Sequence, residues 1–355
     1  MPTKLLFLSA NLSEVGGIQV YTKNVIRTAR FLGAEIVICE LSGLGVFQKV
    51  GFSLRFLWTA FWNTSGTVYC AHISFAPLCL LAKVFFGRKY VVAIYGIEVG
   101  NPSSLETMAF RRADGVVYLF EKTRKDAERV LGNIKLPLFN IPNSVDTERF
   151  FPHAKDSQLE KKWETEGKKV IYTLCRLSAS ERDNKGFEKV LRAFPRVHSQ
   201  LPNTKYIMAG SGDDLEAMKK LAEELGVQND VFFPGSLEES EKVNYYNLCD
   251  VFVYPSKREG FPAIVLLEAL ACGKPIVGGN QPGSEPFRDT FGIIVNPDNS
   301  EELADAIIAI LTEKTQLRFK NSTEIRNAVQ REYGEDAYRG HVRSFLDYFG
   351  NKKNK

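Results

Sequence analysis

A carboxylate in the middle of an apolar run is the first place in this chain where chemistry could be done. The run is Ala263-Ile264-Val265-Leu266-Leu267-Glu268-Ala269-Leu270-Ala271-Cys272-Gly273, and Lys257-Arg258-Glu259-Gly260-Phe261-Pro262 precedes it. Burying a carboxylate without a partner costs several kcal/mol, so Glu268 is either tied up in a structural ion pair or put to use. Pro262 suits the first turn of a helix here, and Gly273 suits its C-terminal stop. Lys257, Arg258 and Glu259 then stand just before that N-terminus, where free N–H groups and the helix dipole attract anions. For an isolated Glu the ion pair is the simpler reading; the loop before this one points to a ligand.

Three further loops follow apolar strand-like runs, the end at which open parallel sheets bind ligands. Gly16 and Gly17 close the segment Asn11 to Gly17, where paired glycines let a phosphate approach backbone and helix N-terminus, although a tight turn explains them equally well. Arg176 directly follows a strand and Lys185 directly precedes a helix; as a fork and a point charge they could clamp a diphosphate, or simply be solvated surface cations. Ala209-Gly210-Ser211-Gly212-Asp213-Asp214 is a glycine-rich strand-to-helix turn without a full G-x-G-x-x-G, which alone indicates a tight turn with an Asp cap. Together these loops describe a pocket for an anionic, diphosphate-bearing ligand whose hydroxyls a carboxylate could bind.

The elements that must position these loops are legible as strands alternating with helical patterns, the mark of parallel sheets covered by helices. In the first half the spacing predicts strands at Leu5–Ser9, Ile36–Cys39, Thr67–Ala71, Tyr90–Ile94, Gly115–Leu119 and Leu138–Ile141. A helix with the stripe Ile18, Tyr21, Val25, Ala29 and Leu32 separates the first two, with Lys23, Arg27 and Arg30 facing away. The second half restarts with Val170–Cys175, Lys205–Ala209, Asp230–Phe233, Val251–Tyr254, Pro275–Val277 and Ile293–Val295, separated by helical patterns. The expected organisation is a first domain over 1–145, a polar linker over 146–164 and a second domain over 165–334; a last helix, about 335–350, carries Tyr338, Phe345 and Tyr348 and could pack back on the first domain. The economical architecture is α/β: two Rossmann-like, doubly wound domains facing each other across a cleft.

Composition narrows the function classes. At 355 residues with 44% hydrophobic and 25% charged residues, the chain suits two soluble globular domains. A formal net charge of +4 without a basic stripe interleaved with aromatics argues against nucleic acid as partner, while suiting anionic ligands. The six cysteines are scattered with no C-x-x-C, and the four histidines show no ligand spacing, so a reducing compartment and no metal site are expected. Lys4 to Ser9 already reads as a strand rather than a leader, and no apolar run reaches the roughly 18 residues needed to span a bilayer. A cytoplasmic protein is expected, in contact with the inner face of the membrane if two stretches lie at its surface. Those stretches are Phe52 to Trp62 and Leu78 to Lys89, apolar with basic or aromatic punctuation, and buried core helices look much the same.

In this order and spacing the motifs resemble a retaining glycosyltransferase of family 4, with the two-Rossmann GT-B fold, over essentially the full length. The marks are Arg176-Leu177 with Lys185-Gly186, Ala209-Gly210-Ser211-Gly212, Asp250 to Ser256 and the Glu259 to Glu268 block, supported by Gly16-Gly17, Ile141 to Asp146 and Tyr95-Gly96-Ile97-Glu98. The resemblance implies that Arg176 and Lys185 bind the donor diphosphate, Glu259 with the backbone of Gly260, Phe261 and Pro262 the donor sugar, and Glu268 the ribose hydroxyls. Gly16 and Gly17 would border the phosphate from the opposite domain, and Gly210 belongs to the same binding set. It further implies a nucleotide diphosphate sugar as donor, a glycan or lipid-linked glycan as acceptor, and no cofactor: the cations take the place of a metal where charge grows on the leaving group. No D-x-D occurs in the chain, and no Asp or Glu stands out as a covalent nucleophile. Retention by front-face attack, the departing diphosphate accepting the acceptor's proton, is likewise carried over from the family.

The chain departs from the family pattern in three places. Eight residues, Gly260 to Leu267, separate the two glutamates, one more than is usual. Inside the helix that residue would turn Glu268 away by about 100°, so it is expected in the loop near Pro262 and Ala263. Tyr95 stands where His is frequent; it can hydrogen-bond but does not titrate near neutrality. Ser144 replaces a usual Gly. His72, after the third strand, is a candidate near the acceptor, or a structural histidine. Two other readings stay open: a GT-B sugar-nucleotide epimerase, and a non-catalytic nucleotide-sugar-binding partner protein.

Overall fold

Runs of β-branched and aromatic residues with no charge inside them build the centres of two sheets. Tyr90–Ile94, for instance, is buried at every position, as a parallel strand covered on both faces must be. The computed structural model describes residues 3–13, 17–43, 45–62, 66–95, 102–258, 260–319 and 321–351. They form two units, one from the chain up to Asn143 and again from Asp336, the other from Ser144–Glu335.

The first unit runs β1 (Lys4–Ala10), α1 (Gly17–Phe31), β2 (Glu35–Leu41), α2 (Val46–Trp62), β3 (Thr67–Cys70), α3 (Ala76–Phe86), β4 (Tyr90–Ile94), α4 (Ser104–Arg111), β5 (Gly115–Tyr118), α5 (Glu121–Leu131) and β6 (Leu138–Asn140). Its sheet is parallel throughout, in the order β2-β1-β3-β4-β5-β6. One face packs on α2 to α5 through Phe56, Cys79, Phe110 and Ala127; the other takes Tyr21, Val25 and Ala29 of α1, while Lys23, Arg27 and Arg30 face solvent.

The second unit runs α6 (Ser157–Lys162), β7 (Lys169–Leu174), α7 (Arg182–Lys185), α8 (Phe187–Gln200), β8 (Thr204–Ala209), α9 (Leu215–Glu224), β9 (Val231–Gly235), α10 (Lys242–Leu248), β10 (Val251–Tyr254), α11 (Ile264–Ala271), β11 (Ile276–Gly279), β12 (Gly292–Val295), α12 (Ser300–Leu311) and α13 (Ser322–Tyr333). Its strands are parallel in the order β12-β11-β10-β7-β8-β9, the doubly wound order with one reversal between β7 and β10. The last helix, α14 (Glu335–Asn351), belongs to the first unit: Tyr338, Val342, Phe345 and Leu346 enter the core beside α1, with the Phe345 ring 5.4 Å from Phe139 and 5.8 Å from Tyr69.

All twelve strands fall where the sequence places them, with ends shifted by a residue or two for local reasons. Pro275, for example, stays outside β11 because it has no N–H for the ladder, though its carbonyl still accepts the Phe252 N–H at 3.1 Å. Residues 146–164 are a correction: they are not a free connection but are packed into the second unit. Phe150 is buried with its ring 5.8 Å from Tyr246, the Trp163 indole donates to Tyr245 Oη at 3.2 Å, and Arg326 of α13 donates to the Thr147 and Phe150 carbonyls, both at 2.9 Å. Aromatic anchors among polar neighbours hold that stretch down. The helix α13 is absent from the expected set because only Ile325, Ala328 and Val329 form its apolar stripe.

Candidate functional site

In the second unit, the exits of β7 and β10 lie at the reversal of strand order, where doubly wound sheets bind ligands. Arg176 leaves the end of β7 and is exposed. Lys185 ends α7, its side chain only 14% exposed; its ammonium donates to Tyr254 Oη, at the end of β10, over 3.2 Å and lies 3.1 Å from Glu181. Gly186 makes this seat. It has φ +72°, and a Cβ there would come within 2.7 Å of the Pro255 carbonyl oxygen, so only glycine lets α7 lie against the loop leaving β10.

That loop is clamped further. The Lys257 N–H donates to the Asn184 carbonyl at 2.8 Å, and its ammonium reaches Asp183 at 2.6 Å and Asp298 at 2.7 Å. Lys189 shares both carboxylates, at 3.1 and 2.6 Å. Hydrogen bonds from Lys257 and then Lys189 hold Asp183 down to about 2, and the same contacts raise Lys257 above its ordinary value. Lys257, expected to attract an anion, is instead committed to these two aspartates. Arg258 stays exposed, 3.8 Å from Asp183.

The turn over Gly210 and Gly212 seats the Arg176 segment. A Cβ at Gly210, φ +134°, would overlap the Cys175 carbonyl oxygen, and one at Gly212 the Leu177 carbonyl oxygen. Glycine here serves close backbone packing. The expected Asp cap is also redistributed: the buried Asp214 is gripped by the Arg182 fork, Nε at 2.6 Å, while Asp213 accepts the Ala179 N–H at 3.1 Å. Gly210→Ala is therefore expected to cost at least about 2 kcal/mol, seen as a lower urea midpoint at unchanged slope.

Pro262 lies before α11 rather than in its first turn; the Phe261–Pro262 peptide is cis, Ala263 is the N-cap and the helix starts at Ile264. Gly260 to Ala263 therefore precede the helix, and Ile264 to Leu267 form its first turn ahead of Glu268. The Phe261 ring is buried, 4.9 Å from Phe287, so its side chain is not open to a ligand. Glu268 sits inside α11 with apolar neighbours buried on both sides. Tyr246 Oη of α10 donates to its Oε2 at 2.7 Å, and among the described residues no ion pair neutralises it. Burial raises its carboxyl to about 7; Lys242, the Tyr246 hydrogen bond and Arg149 pull it down, and Glu239 pushes it up. A buried carboxylate with one donor and no counter-ion retains acceptor capacity for hydroxyl groups.

In the first unit, the exits of β1, β3 and β4, adjacent in the sheet, carry the remaining candidates. Gly17 opens α1, and a Cβ there would meet nothing within 4 Å, so packing does not require this glycine. His72 caps a short 3₁₀ turn, its Nδ1 accepting the Ser74 N–H at 3.2 Å. Tyr95 Oη lies 3.4 Å from Thr22 Oγ1 of α1, with its ring 5.4 Å from Tyr21. Gly16 and Glu259 lie outside the described residues. The sequence does not single out Tyr246, which touches Glu268, or Asp183, Lys189 and Asp298, which clamp Lys257; Tyr254 stands in a quoted motif, but its contact with Lys185 has no local signal.

Residues 155–328 match the family model described as glycosyl transferases group 1. The GDP-mannose-dependent alpha-(1-6)-phosphatidylinositol monomannoside mannosyltransferase of Mycobacterium tuberculosis is 28% identical over 256 residues, 67% of this chain and 65% of that protein. Its namesake from Mycolicibacterium smegmatis is 30% identical over 255 residues, with the same coverage. The match spans just under two thirds of the length of these relatives. Among solved structures, Anabaena HepE in complex with UDP superposes with a TM-score of 0.80 at 18% identity, over 98% of this chain and 100% of that one. A glycosyltransferase from Rickettsia africae does so with a TM-score of 0.80 at 18% identity, over the whole of both chains. The two units thus have the GT-B type of fold.

Proposed function

We infer that a chain whose residues 155–328 belong to the glycosyl transferases group 1 is itself a glycosyltransferase, and we propose that it moves a hexosyl unit from a UDP- or GDP-linked sugar to a glycan or lipid-linked glycan acceptor, with retention and without a metal. The observation that carries the reading is the placement of Arg176 and Lys185 at the switch point of the second sheet. A guanidinium fork and a seated ammonium suit a diphosphate in the donor and, more strongly, the diphosphate that departs. Glu268 accepts the ribose hydroxyls, and Glu259 with the backbone of Gly260 to Pro262 holds the sugar. In front-face attack the acceptor hydroxyl oxygen bonds to the anomeric carbon on the side the diphosphate leaves. The carbon–oxygen bond to phosphate breaks, and the hydroxyl proton passes to the departing phosphate oxygen. His72 and Tyr95 are the candidates for the acceptor side.

The relatives named as GDP-mannose-dependent and acting on a phosphatidylinositol mannoside make GDP-mannose the first donor, and lipid-linked mannosides the first acceptors, to try. The test incubates the protein with labelled GDP-mannose or a labelled UDP-hexose, a lipid extract and EDTA. Label is expected in the lipid fraction at a rate that added manganese changes by less than about twofold. Conversion of donor alone into its epimer would point to an epimerase, and binding without transfer to a non-catalytic partner; either would refute the transferase.

A further inference from the structure

The helix α2 is apolar on both sides. Phe52, Phe56 and Ala60 enter the core of the first unit, while Phe47, Val50, Leu54 and Trp58 recur every three or four residues on the opposite, exposed side, Phe47 at 93% and Trp58 at 66%. From Trp58 the surface continues through touching rings onto α3: Trp58 to Trp62 at 5.7 Å, Trp62 to Phe61 at 5.3 Å, Phe61 to Phe86 at 5.5 Å and Phe86 to Phe85 at 6.4 Å. Phe85 is 71% exposed and Val84 beside it 64%. Single exposed apolar residues are ordinary; a contiguous aromatic ridge across two helices is not.

The charge around this ridge is predominantly basic. Between Glu40 and Glu98 the chain has no acidic residue and five basic ones, Lys49, Arg55, Lys83, Arg88 and Lys89. Arg88 is buried and donates to the Ala60 and Phe61 carbonyls at 2.7 and 3.2 Å, satisfying the last turn of α2 and fixing the two helices together. Lys49, Arg55 and Lys89 are exposed, and Arg111 and Arg112 border the groove beside Val84. The acids that adjoin, Glu35 near the two tryptophans and Asp114, are paired with Lys4 at 2.8 Å and Lys83 at 3.0 Å.

We propose that the exposed face of α2 and α3 docks on an anionic lipid bilayer, the aromatic ridge entering the headgroup–acyl boundary while the surrounding cations meet lipid phosphates. A protein partner's patch is typically depleted in lysine, whereas tryptophan with flanking Lys and Arg suits the bilayer interface. No helix among the described residues is long and apolar enough to cross a membrane, so the contact is interfacial. Docking needs neither donor nor turnover, so it stands or falls separately from the transferase reading.

The test is co-sedimentation with vesicles of phosphatidylcholine containing about one-third phosphatidylglycerol, against phosphatidylcholine alone. Binding to the anionic vesicles is expected to be at least about tenfold stronger and to weaken with salt. Tryptophan emission should shift to the blue, because two of the three tryptophans, Trp58 and Trp62 but not Trp163, lie on the ridge. Replacing exposed side chains, as in the double variant Trp58→Glu with Phe85→Glu, should weaken partitioning about a hundredfold without changing the melting temperature. Wild-type protein left in the supernatant, or a variant that sediments equally well, would overturn the proposal. So would a wild-type dimer that ignores vesicles and that the variant turns into monomer.

Discussion

Lys185→Ala is expected to lower kcat/KM for the nucleotide sugar by about a hundredfold to a thousandfold, the range for losing one preorganised group aimed at growing negative charge. The same variant should abolish the rise in melting temperature that UDP or GDP gives the wild type, since a ligand that binds only the native state stabilises it. The expectation rests on how the ammonium is held. Gly186 brings α7 against Pro255, Tyr254 accepts one of the ammonium's hydrogen bonds at 3.2 Å, and the side chain is largely buried. A charge fixed this way needs little reorganisation when the diphosphate departs. Lys185→Arg keeps the charge but brings a broader fork, so it should restore part of the stabilisation and less of the rate. An unchanged nucleotide-induced shift in Lys185→Ala would refute the phosphate assignment.

Glu268→Gln should move stability and affinity in opposite directions. Burial raises the Glu268 carboxyl in the folded chain from the ordinary carboxylate value of 4.5 to about 7. A folded value above the unfolded one means that the protonated form is favoured by folding. That stabilisation is fully present below the unfolded value and is lost as pH rises through about 7. Glutamine keeps the volume and cannot ionise. The unliganded variant should therefore match the wild type at about pH 4 and exceed its stability by up to about 3 kcal/mol at about pH 8, each tenfold change in proton affinity being worth about 1.36 kcal/mol. Nucleotide affinity should fall about tenfold to a hundredfold, the worth of a hydrogen bond to a charged acceptor. In the wild type affinity should rise with pH through about 7, because hydroxyl donors favour the ionised carboxylate. A variant less stable than the wild type at the higher pH would show that the carboxylate is a structural partner instead.

Both sheets were legible in the sequence because parallel strands covered on two faces are continuous apolar runs bounded by glycine, proline and polar residues. The unusual environment of Glu268 was legible for the same reason: a lone carboxylate in an apolar helical stretch has few places to go. Side-chain pairing across long separations was not. Lys257 finds Asp183 and Asp298 only through the fold, so its removal from the anion-binding set has no local signal. Gly210 reads as a ligand turn, whereas its closest constraint is the Cys175 carbonyl of the neighbouring strand exit. Phe261 reads as part of the sugar loop, yet Phe287, well downstream, draws its ring into the core. The segment 146–164 is polar by composition, and its few aromatic anchors decide its packing.

Calorimetric titration of UDP and GDP into the protein in EDTA tests most directly whether side-chain cations at the β7–β10 switch point hold the diphosphate. Saturable binding of one nucleotide per chain is expected, unchanged when manganese or magnesium replaces the chelator and weakened about a hundredfold in Arg176→Ala. Heat that appears only after a divalent ion is supplied, with Arg176→Ala binding as tightly as the wild type, would contradict it.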